Sequence, residues 1–302
     1  MANLGKIIYS QENKPGIPAW GDKLLILLEM IKIEHTVFAL PFAFMGALLA
    51  ARGLPTARQA FFILLAMVGA RSAAMAFNRL VDQRYDGLNP RTANRALPRG
   101  LISRQATIVF IVISGLLFFT AASRLNSLSL KLAPLALGIV FFYSYTKRFT
   151  WASHLILGGG LAIAPTAGWI AVRGDIQGLP LILSLAVLLW VSGFDILYSL
   201  QDEDFDRKIG LHSLPCRFGR SQSMRLAAWL HVSAGLGFIL VGWWANLGSF
   251  YWGAAVLAGI LLMVEHTLLS PRDLTRLNHA FFTLNGLVGI ILGVATLFSL
   301  WP

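Results

Sequence analysis

Residues 180–200 read PLILSLAVLLWVSGFDILYSL, and their only charged side chain is Asp195. An α-helix needs about 20 predominantly apolar residues to cross the hydrocarbon core of a bilayer. Comparable runs occur at eight further places, at 24–51, 59–80, 105–124, 130–146, 153–172, 223–243, 249–269 and 279–300. The sequence therefore predicts an all-α, polytopic membrane protein with nine transmembrane helices in one bundle.

The composition points to the same class of protein. Of the 302 residues, 56% are hydrophobic and 13% are charged, and the mean hydropathy is +0.67. A soluble domain carries about 25% charged residues. The longest polar stretches, 82–104 and 201–222, are short enough to be loops between helices, so we expect a single transmembrane domain over residues 1–302. Residues 1–22 are expected to be a polar leader, because they lack the apolar core and cleavage site of a signal peptide.

Positive charges are distributed unevenly between the two sides of the predicted bundle. With a cytoplasmic N-terminus, 19 of the 25 Lys and Arg residues fall in inner segments and five in outer loops, while Arg71 lies inside the second span. Because inner loops are enriched in these residues, we predict that the N-terminus is cytoplasmic. We assign the net charge of +11 to topology and to contacts with membrane lipid rather than to nucleic acid. The single cysteine, Cys216, excludes an intrachain disulfide and a multi-cysteine metal site.

Six of the 14 acidic residues lie in two short motifs with a spacing of four. Such a spacing places side chains on one face of a helix, where like charges repel each other. Solvated acids paired with nearby arginines would explain one such motif. Two motifs on the same predicted side of the membrane, each followed by a basic segment, instead favour a bound cation. The motifs are Asn78-x3-Asp82-x3-Asp86 and Tyr198-x3-Asp202-x3-Asp206, the second of which also contains Glu203 and Asp204.

Magnesium is the cation that this pattern favours, because it prefers oxygen ligands and is usually held by one or two carboxylates together with substrate phosphates. Cationic side chains in the following segments would neutralise the other phosphate oxygens. No G-x-x-x-x-G-K-[ST] loop is present, so a nucleotide is not indicated. A diphosphate beneath an apolar bundle instead suggests an allylic diphosphate whose hydrocarbon tail stays in the membrane. The candidate phosphate ligands are Arg91, Arg95, Lys147, Arg148 and Lys208.

Three segments carry a resemblance to a known family. They read NRLVDQRYD at 78–86 with NPRT at 89–92 and RALPRG at 95–100, then YSYTKRFT at 143–150, then DILYSLQDEDFD at 195–206 with KIG at 208–210. In this order they resemble the signatures of the UbiA superfamily of intramembrane aromatic prenyltransferases. The sequences of these segments are most similar to those of the 4-hydroxybenzoate polyprenyltransferases. The resemblance extends over almost the whole chain and includes the number of helices.

The resemblance implies a division of the polar residues between the two substrates. On the diphosphate side, Mg²⁺ would be the cofactor, with Asn78, Asp82 and Asp86 holding one ion, Asp202 and Asp206 another, and Lys147 reaching the diphosphate. Arg71 lies two helical turns before Asn78 and is expected either to contact the diphosphate or to form a structural ion pair.

On the acceptor side, the resemblance implies that Arg148 pairs with a carboxylate of the aromatic substrate. It also implies that Asp195 polarises or deprotonates the ring hydroxyl. The alternative for Asp195 is a buried aspartate at a helix interface, hydrogen-bonded to a neighbour. Glu203 and Asp204 point away from the face that carries Asp202, so the expectation for both is a supporting or solvated position.

The sequence therefore predicts an enzyme of the cytoplasmic (inner) membrane whose active site faces the cytoplasm. The expected reaction is magnesium-dependent transfer of a polyprenyl group from polyprenyl diphosphate to the ring of 4-hydroxybenzoate, in ubiquinone biosynthesis. The same reaction on a dihydroxynaphthoate, in menaquinone biosynthesis, remains an alternative because both acceptors carry a carboxylate and a hydroxyl. The pattern favours no particular oligomeric state.

Two other classes of protein fit the sequence less well. A transporter or lipid-binding protein with a cation site would carry its acids at the middle of the membrane, whereas these motifs lie at one predicted face. A phosphatidyltransferase also uses clustered aspartates, and Asp86-Gly87 superficially matches its motif. The remainder of that motif is missing from the segment that follows.

Overall fold

The computed structural model describes residues 26–27, 30, 38–277 and 280–301, and within these ranges the chain is helical and contains no strand. The predicted leader and most of the first half of the span 24–51 lie outside the described residues. The helices are α1 (Leu40–Ala51), α2 (Ala57–Leu88), α3 (Arg104–Leu125), α4 (Ser127–Thr146), α5 (Ser153–Arg173), α6 (Gly178–Ser199), α7 (Glu203–Ile209), α8 (Leu214–Ala245), α9 (Ser249–Leu268) and α10 (Asn285–Leu300). A 3₁₀ turn, Leu200–Asp202, joins α6 to α7, and a π turn, Ala280–Leu284, precedes α10.

Eight helices in the described part of the chain are long and apolar enough to cross a membrane. They correspond to the second to ninth predicted spans, so the prediction of an all-α polytopic membrane protein is confirmed. Of the first predicted span, the structure describes mainly its second half, α1.

Helix caps explain where two of the helices begin. Thr56 forms a capping box with Gln59 at the start of α2, which then continues without a break to Leu88 and carries the whole first aspartate motif. The side chain of Asn126 accepts a hydrogen bond from the backbone N–H of Ser129 at 2.9 Å, so α4 begins three residues before the predicted span 130–146.

Small residues let the central helices approach closely. A Cβ atom added to Gly168 in α5 would meet the carbonyl group of Ala43 in α1, and one added to Gly158 would meet the Ser192 side chain and the Leu188 carbonyl in α6. Gly158 and Gly168 therefore serve close helix packing. The close contact between α5 and α6 also determines which of their side chains lie close to each other.

A second group of polar side chains lies inside the bundle, away from that site. Trp190 Nε1 donates to Asn285 Oδ1 at 2.8 Å, and Asn285 Nδ2 donates to Glu265 Oε1 at 2.7 Å. His231 and His266 are also in contact, with 3.0 Å between the nearest ring nitrogens. These residues link α6, α8, α9 and α10 inside the bundle.

Candidate active site

A cavity of about 810 Å³ runs through the part of the bundle formed by α2 to α6. Most of its wall is apolar and includes Ile63, Ala133, Ile170 and Leu185. One end of the cavity is lined by charged residues. They come from the last turns of α2, from the loop 89–103, from the end of α4 and from the α6–α7 region. The cavity is therefore a long apolar groove with one polar end.

The structure brings nearly all of the predicted site residues to this cavity. Lys208 is the exception: it lies on an exposed face of α7 and is not part of the cavity wall, so the prediction that it contacts a diphosphate there is not supported. The predicted residues that do line the cavity are Arg71, Asn78, Asp82, Asp86, Arg91, Arg95, Lys147, Arg148, Asp195, Asp202 and Asp206.

The two aspartate motifs are connected through the loop that follows the first of them. Asp202 accepts hydrogen bonds from Arg91 Nε at 2.9 Å, from Arg91 Nη2 at 2.6 Å and from Asn89 Nδ2 at 3.0 Å. Asp86 Oδ1 accepts one from Arg95 Nη1 at 2.6 Å. Burial by itself lowers the pKa of Arg91, but the hydrogen bond and the charge of Asp202 outweigh it and raise this pKa. Arg91 is thus held as a cation beside Asp202, and Arg95 is fixed by its hydrogen bond to Asp86.

Some carboxylate oxygens at this end have no donor. Asp86 Oδ2 and Asp206 Oδ2 are buried and accept no hydrogen bond, although Arg79 Nη1 lies 3.9 Å from the former. A buried anionic oxygen without a donor is costly unless a cation compensates it. No three His, Cys, Asp or Glu side chains among the described residues are grouped closely enough to hold a metal by themselves. The site therefore fits an ion such as Mg²⁺, which takes one or two carboxylates and completes its shell with water and phosphate oxygens.

Lys147 supplies a further positive charge next to these carboxylates. It directly follows α4, and its backbone carbonyl accepts a hydrogen bond from His212 N at 2.7 Å. Burial alone would lower the pKa of Lys147, but the acidic groups around it, first Tyr143 and then Asp206 and Asp195, raise this pKa above its ordinary value. Lys147 is therefore a cation at neutral pH and suited to bind phosphate.

Arg148 is held on three sides. Its guanidinium carbon lies 5.2 Å from the ring centroids of both Tyr85 and Tyr145. Its Nη2 donates to the carbonyl oxygen of Val81 at 2.9 Å and lies 3.6 Å from Asp82 Oδ1. Its Nε is buried and has no hydrogen-bond partner. A planar donor that is fixed in this way, and whose side chain is still 33% exposed, is suited to bind a carboxylate.

Asp195 lines the cavity from α6, and its side chain is 15% exposed. Its Oδ2 lies 2.6 Å from Nδ1 of His154, a residue in the first turn of α5. Asp195 therefore has the hydrogen bond expected of an interface aspartate and also reaches the cavity, while its contact with the aromatic acceptor stays a prediction. His154 was missed at the sequence level, because nothing in its spacing relates it to Asp195.

Other supporting residues were also missed or left undecided by the sequence. Arg79 and Asn89 belong to the motif segments, but only the structure shows that they contact Asp86 and Asp202 respectively. Glu203 is buried, and it forms an ion pair with Arg207 at 3.0 Å within α7 and one with Arg220 at 2.8 Å that links α7 to α8. The side chain of Asp204 is 91% exposed, and neither residue lines the cavity.

Comparison with known proteins identifies the relatives of this chain. The sequence model of the UbiA prenyltransferase family matches residues 39–287. The 4-hydroxybenzoate octaprenyltransferase of Yersinia pseudotuberculosis serotype O:1b (strain IP 31758) is 32% identical over 254 residues, which cover 84% of this chain and 87% of that protein. The enzyme of the same name from Vibrio atlanticus (strain LGP32) is 30% identical over 255 residues, covering 84% of this chain and 89% of that protein.

Solved structures share the same architecture. The apo structure of a UbiA homologue from Aeropyrum pernix K1 superimposes with a TM-score of 0.80 at 35% identity, covering 87% of this chain and 97% of that chain. A UbiA homologue from Archaeoglobus fulgidus, bound to GPP and Mg²⁺, gives 0.68 at 17% identity, with 90% and 99% covered, and at this identity shows the fold alone. The polar-ended cavity, the two aspartate motifs and these similarities lead to one conclusion: the chain belongs to the UbiA prenyltransferase family and is a membrane-embedded aromatic prenyltransferase.

Proposed function

We propose that this enzyme transfers a polyprenyl group from polyprenyl diphosphate to the ring of 4-hydroxybenzoate, with Mg²⁺ as cofactor, and so serves ubiquinone biosynthesis. The observation that carries the proposal is that groups suited to a diphosphate and groups suited to a hydroxylated aromatic acid line the same end of one apolar groove. The relatives named 4-hydroxybenzoate octaprenyltransferase support the choice of acceptor. The A. fulgidus homologue bound to GPP and Mg²⁺, which has the same fold, supports the choice of donor and metal.

The carboxylates of the two motifs are the proposed magnesium ligands, and the buried oxygens of Asp86 and Asp206 that lack donors support this assignment. When bound, magnesium supplies positive charge that stabilises the diphosphate as it leaves. The proposed ligands are Asn78, Asp82 and Asp86 on α2, and Asp202 and Asp206 at the α6–α7 junction.

Cationic side chains of the chain itself are proposed to hold the diphosphate. Lys147, Arg91 and Arg95 line the same end of the cavity as the carboxylates, and charge-assisted hydrogen bonds from such groups bind phosphate oxygens. Arg71, which also lines the cavity, is a further candidate on the same helix as the first motif. These contacts orient the diphosphate so that its hydrocarbon chain lies along the apolar wall.

Aromatic side chains lie where the apolar groove meets the polar end. Tyr198, Phe194 and Phe281 all line the cavity, with ring centroids 4.2 Å apart for Tyr198 and Phe281 and 5.2 Å apart for Phe194 and Phe281. The faces of such rings attract cations, and an apolar wall excludes water. We infer that these residues protect the allylic cation from hydrolysis until the acceptor reacts.

Arg148 and Asp195 are the proposed acceptor ligands. Arg148 would bind the carboxylate, while Asp195 would take the proton of the ring hydroxyl and so raise the nucleophilicity of the ortho carbon. The carbon–oxygen bond to the diphosphate breaks to give the allylic cation, and the ortho carbon then forms the new carbon–carbon bond. The ring loses its C–H proton to the released diphosphate, and Asp195 returns its proton to the ring oxygen. The same two contacts would suit a dihydroxynaphthoate, so the acceptor has to be decided by experiment.

The direct test supplies purified enzyme with radiolabelled polyprenyl diphosphate and magnesium, and offers 4-hydroxybenzoate and 1,4-dihydroxy-2-naphthoate in separate reactions. We expect label in prenylated hydroxybenzoate, and we expect EDTA to lower the rate at least about 10²-fold, because a bound metal ion contributes several kcal/mol. Restoring magnesium should restore the rate. Preferential labelling of the naphthoate would overturn the acceptor assignment, and an undiminished rate in EDTA would overturn the metal assignment.

We further propose that the polar end of the cavity faces the cytoplasm of a bacterial inner membrane. This end carries the loops 89–103 and 210–213, whose surroundings are rich in Arg and Lys, as inner segments are. The chain has one cysteine, so Cys216→Ser followed by Asp204→Cys places a single thiol at a highly exposed position. A membrane-impermeant maleimide should label it in inverted membrane vesicles and leave it unlabelled in intact spheroplasts; labelling in the spheroplasts would reverse the orientation.

A further inference from the structure

His154 lies directly behind the proposed acceptor site. It is fully buried, it does not belong to the cavity wall, and its Nδ1 is 2.6 Å from Oδ2 of Asp195. On the other side of the ring, the backbone N–H of Leu214 donates to Nε2 at 3.4 Å. His154 thus connects a carboxylate on α6 with the first residue of α8, and it does so from α5.

The partners of the ring assign its protons. A backbone N–H can only donate, so Nε2 of His154 accepts and carries no proton. The hydrogen on the neutral ring must therefore be on Nδ1, where it points to the Asp195 carboxylate. His154 is thus a donor to Asp195 and an acceptor towards α8.

The backbone around His154 keeps the ring in this position. Ser192 Oγ donates to the carbonyl oxygen of His154 at 3.2 Å, and Gly158, one turn further along α5, allows the close approach of α6. Asp195 lies one turn beyond Ser192 on α6. Among the described residues, His154 is the only hydrogen-bond partner of Asp195, so Oδ1 of this carboxylate accepts no bond.

We propose that His154 is a positioning residue for prenyl transfer: by donating from Nδ1 to Oδ2, it holds Asp195 in one orientation and leaves Oδ1 available for the hydroxyl proton of the acceptor. This inference rests on the proposed acceptor role of Asp195. The proton moves from the ring hydroxyl to Asp195, and His154 keeps its own proton throughout. No residue other than Asp195 changes its protonation in this step.

Two substitutions separate this role from a purely structural one. In His154→Asn, the amide nitrogen stands at the place of Nδ1 and can donate to Asp195, but nothing accepts the Leu214 N–H. In His154→Gln, the longer side chain can accept the Leu214 N–H, but no donor stands at the place of Nδ1. The two variants therefore each keep one contact and lose the other.

The measurement is kcat and KM for purified, magnesium-loaded enzyme with geranyl diphosphate and 4-hydroxybenzoate, together with the thermal unfolding midpoint of each variant. We expect His154→Gln to lower kcat about 10- to 100-fold. This is less than the full contribution of a general base, about 10²- to 10⁴-fold, because Asp195 is still present but less well oriented. The KM for geranyl diphosphate should stay unchanged. His154→Asn should recover most of the lost kcat, even if its unfolding midpoint is the lower of the two.

A kcat for His154→Gln equal to or above that of His154→Asn would overturn the proposal, as would losses in both variants that follow their unfolding midpoints. Asp195→Asn, measured in parallel, tests the underlying assignment. If Asp195→Asn keeps the kcat of the wild type, the acceptor role of Asp195 fails. If Asp195→Asn is inactive while His154→Gln is fully active, only the inference about His154 fails.

Discussion

Asp202→Ala is expected to lower kcat for prenyl transfer at least about 10³-fold, because a metal-bound leaving group is stabilised by several kcal/mol. The side chain of Asp202 is a proposed magnesium ligand. It also accepts hydrogen bonds from Arg91 at 2.6 and 2.9 Å and from Asn89 at 3.0 Å. Its removal takes away a negative charge that would hold the metal, and it releases the arginine that is proposed to contact the diphosphate.

Asp204→Ala is the matched control for this experiment. Asp204 lies two residues away in the same acidic stretch, but its side chain is 91% exposed and it does not line the cavity. A substitution at such a surface position changes free energies by about 0.5 kcal/mol or less, so its rate should stay within about twofold of the wild type. Size-exclusion chromatography checks that both variants are folded. Magnesium-dependent turnover by Asp202→Ala close to the wild-type rate would contradict the assignment of Asp202.

Arg148→Ala should lower kcat/KM for 4-hydroxybenzoate about 10²-fold, since an interaction with a charged group contributes about 1.5–3 kcal/mol. The guanidinium lies 5.2 Å from the rings of Tyr85 and Tyr145, and its Nε has no hydrogen-bond partner. These contacts hold it ready for an incoming carboxylate. The loss should be much smaller for a phenol that lacks the carboxylate, because the variant then loses no ionic contact with the acceptor.

The comparison of the two acceptors within one variant separates recognition from general damage. Arg148 also lies 3.6 Å from Asp82, so its removal can disturb the diphosphate site, but that effect would be the same with both acceptors. Lys208→Ala, which removes an exposed cation outside the cavity, should leave kcat/KM for both acceptors unchanged. Equal losses with both acceptors in Arg148→Ala would exclude Arg148 from acceptor recognition.

Much of the fold could be predicted from the sequence, because membrane insertion depends on local properties. A bilayer requires apolar segments of nearly constant length, so the spans can be read directly from runs such as 180–200. The least accurate boundaries were those at the polar ends, where α2 continues to Leu88 and α8 begins at Leu214, with a break in its helical backbone at Gly219. There the helix is stabilised by caps and protein contacts, and hydropathy no longer marks its end.

The proximity of the two aspartate motifs in space could also be predicted. Each motif follows an even-numbered span, and helices that alternate in direction bring the ends of the second and sixth spans to the same side of the membrane. A spacing of four then puts Asp82 and Asp86 on one face of α2. The structure agrees, because these residues line one cavity together with Asp202 and Asp206.

Only the tertiary structure decided which residues act together across helices. The contact between His154 and Asp195 spans 41 positions and depends on the close packing of α5 against α6 at Gly158. Lys208 lies outside the cavity because the orientation of the short helix α7 places this side chain on an exposed face. The sequence by itself determined the membrane class, the helices and the two acidic motifs, since hydropathy and spacing are properties of neighbouring residues. The partners of each charged side chain were decided by the packing of distant helices, whose angles and separations have no counterpart in sequence spacing.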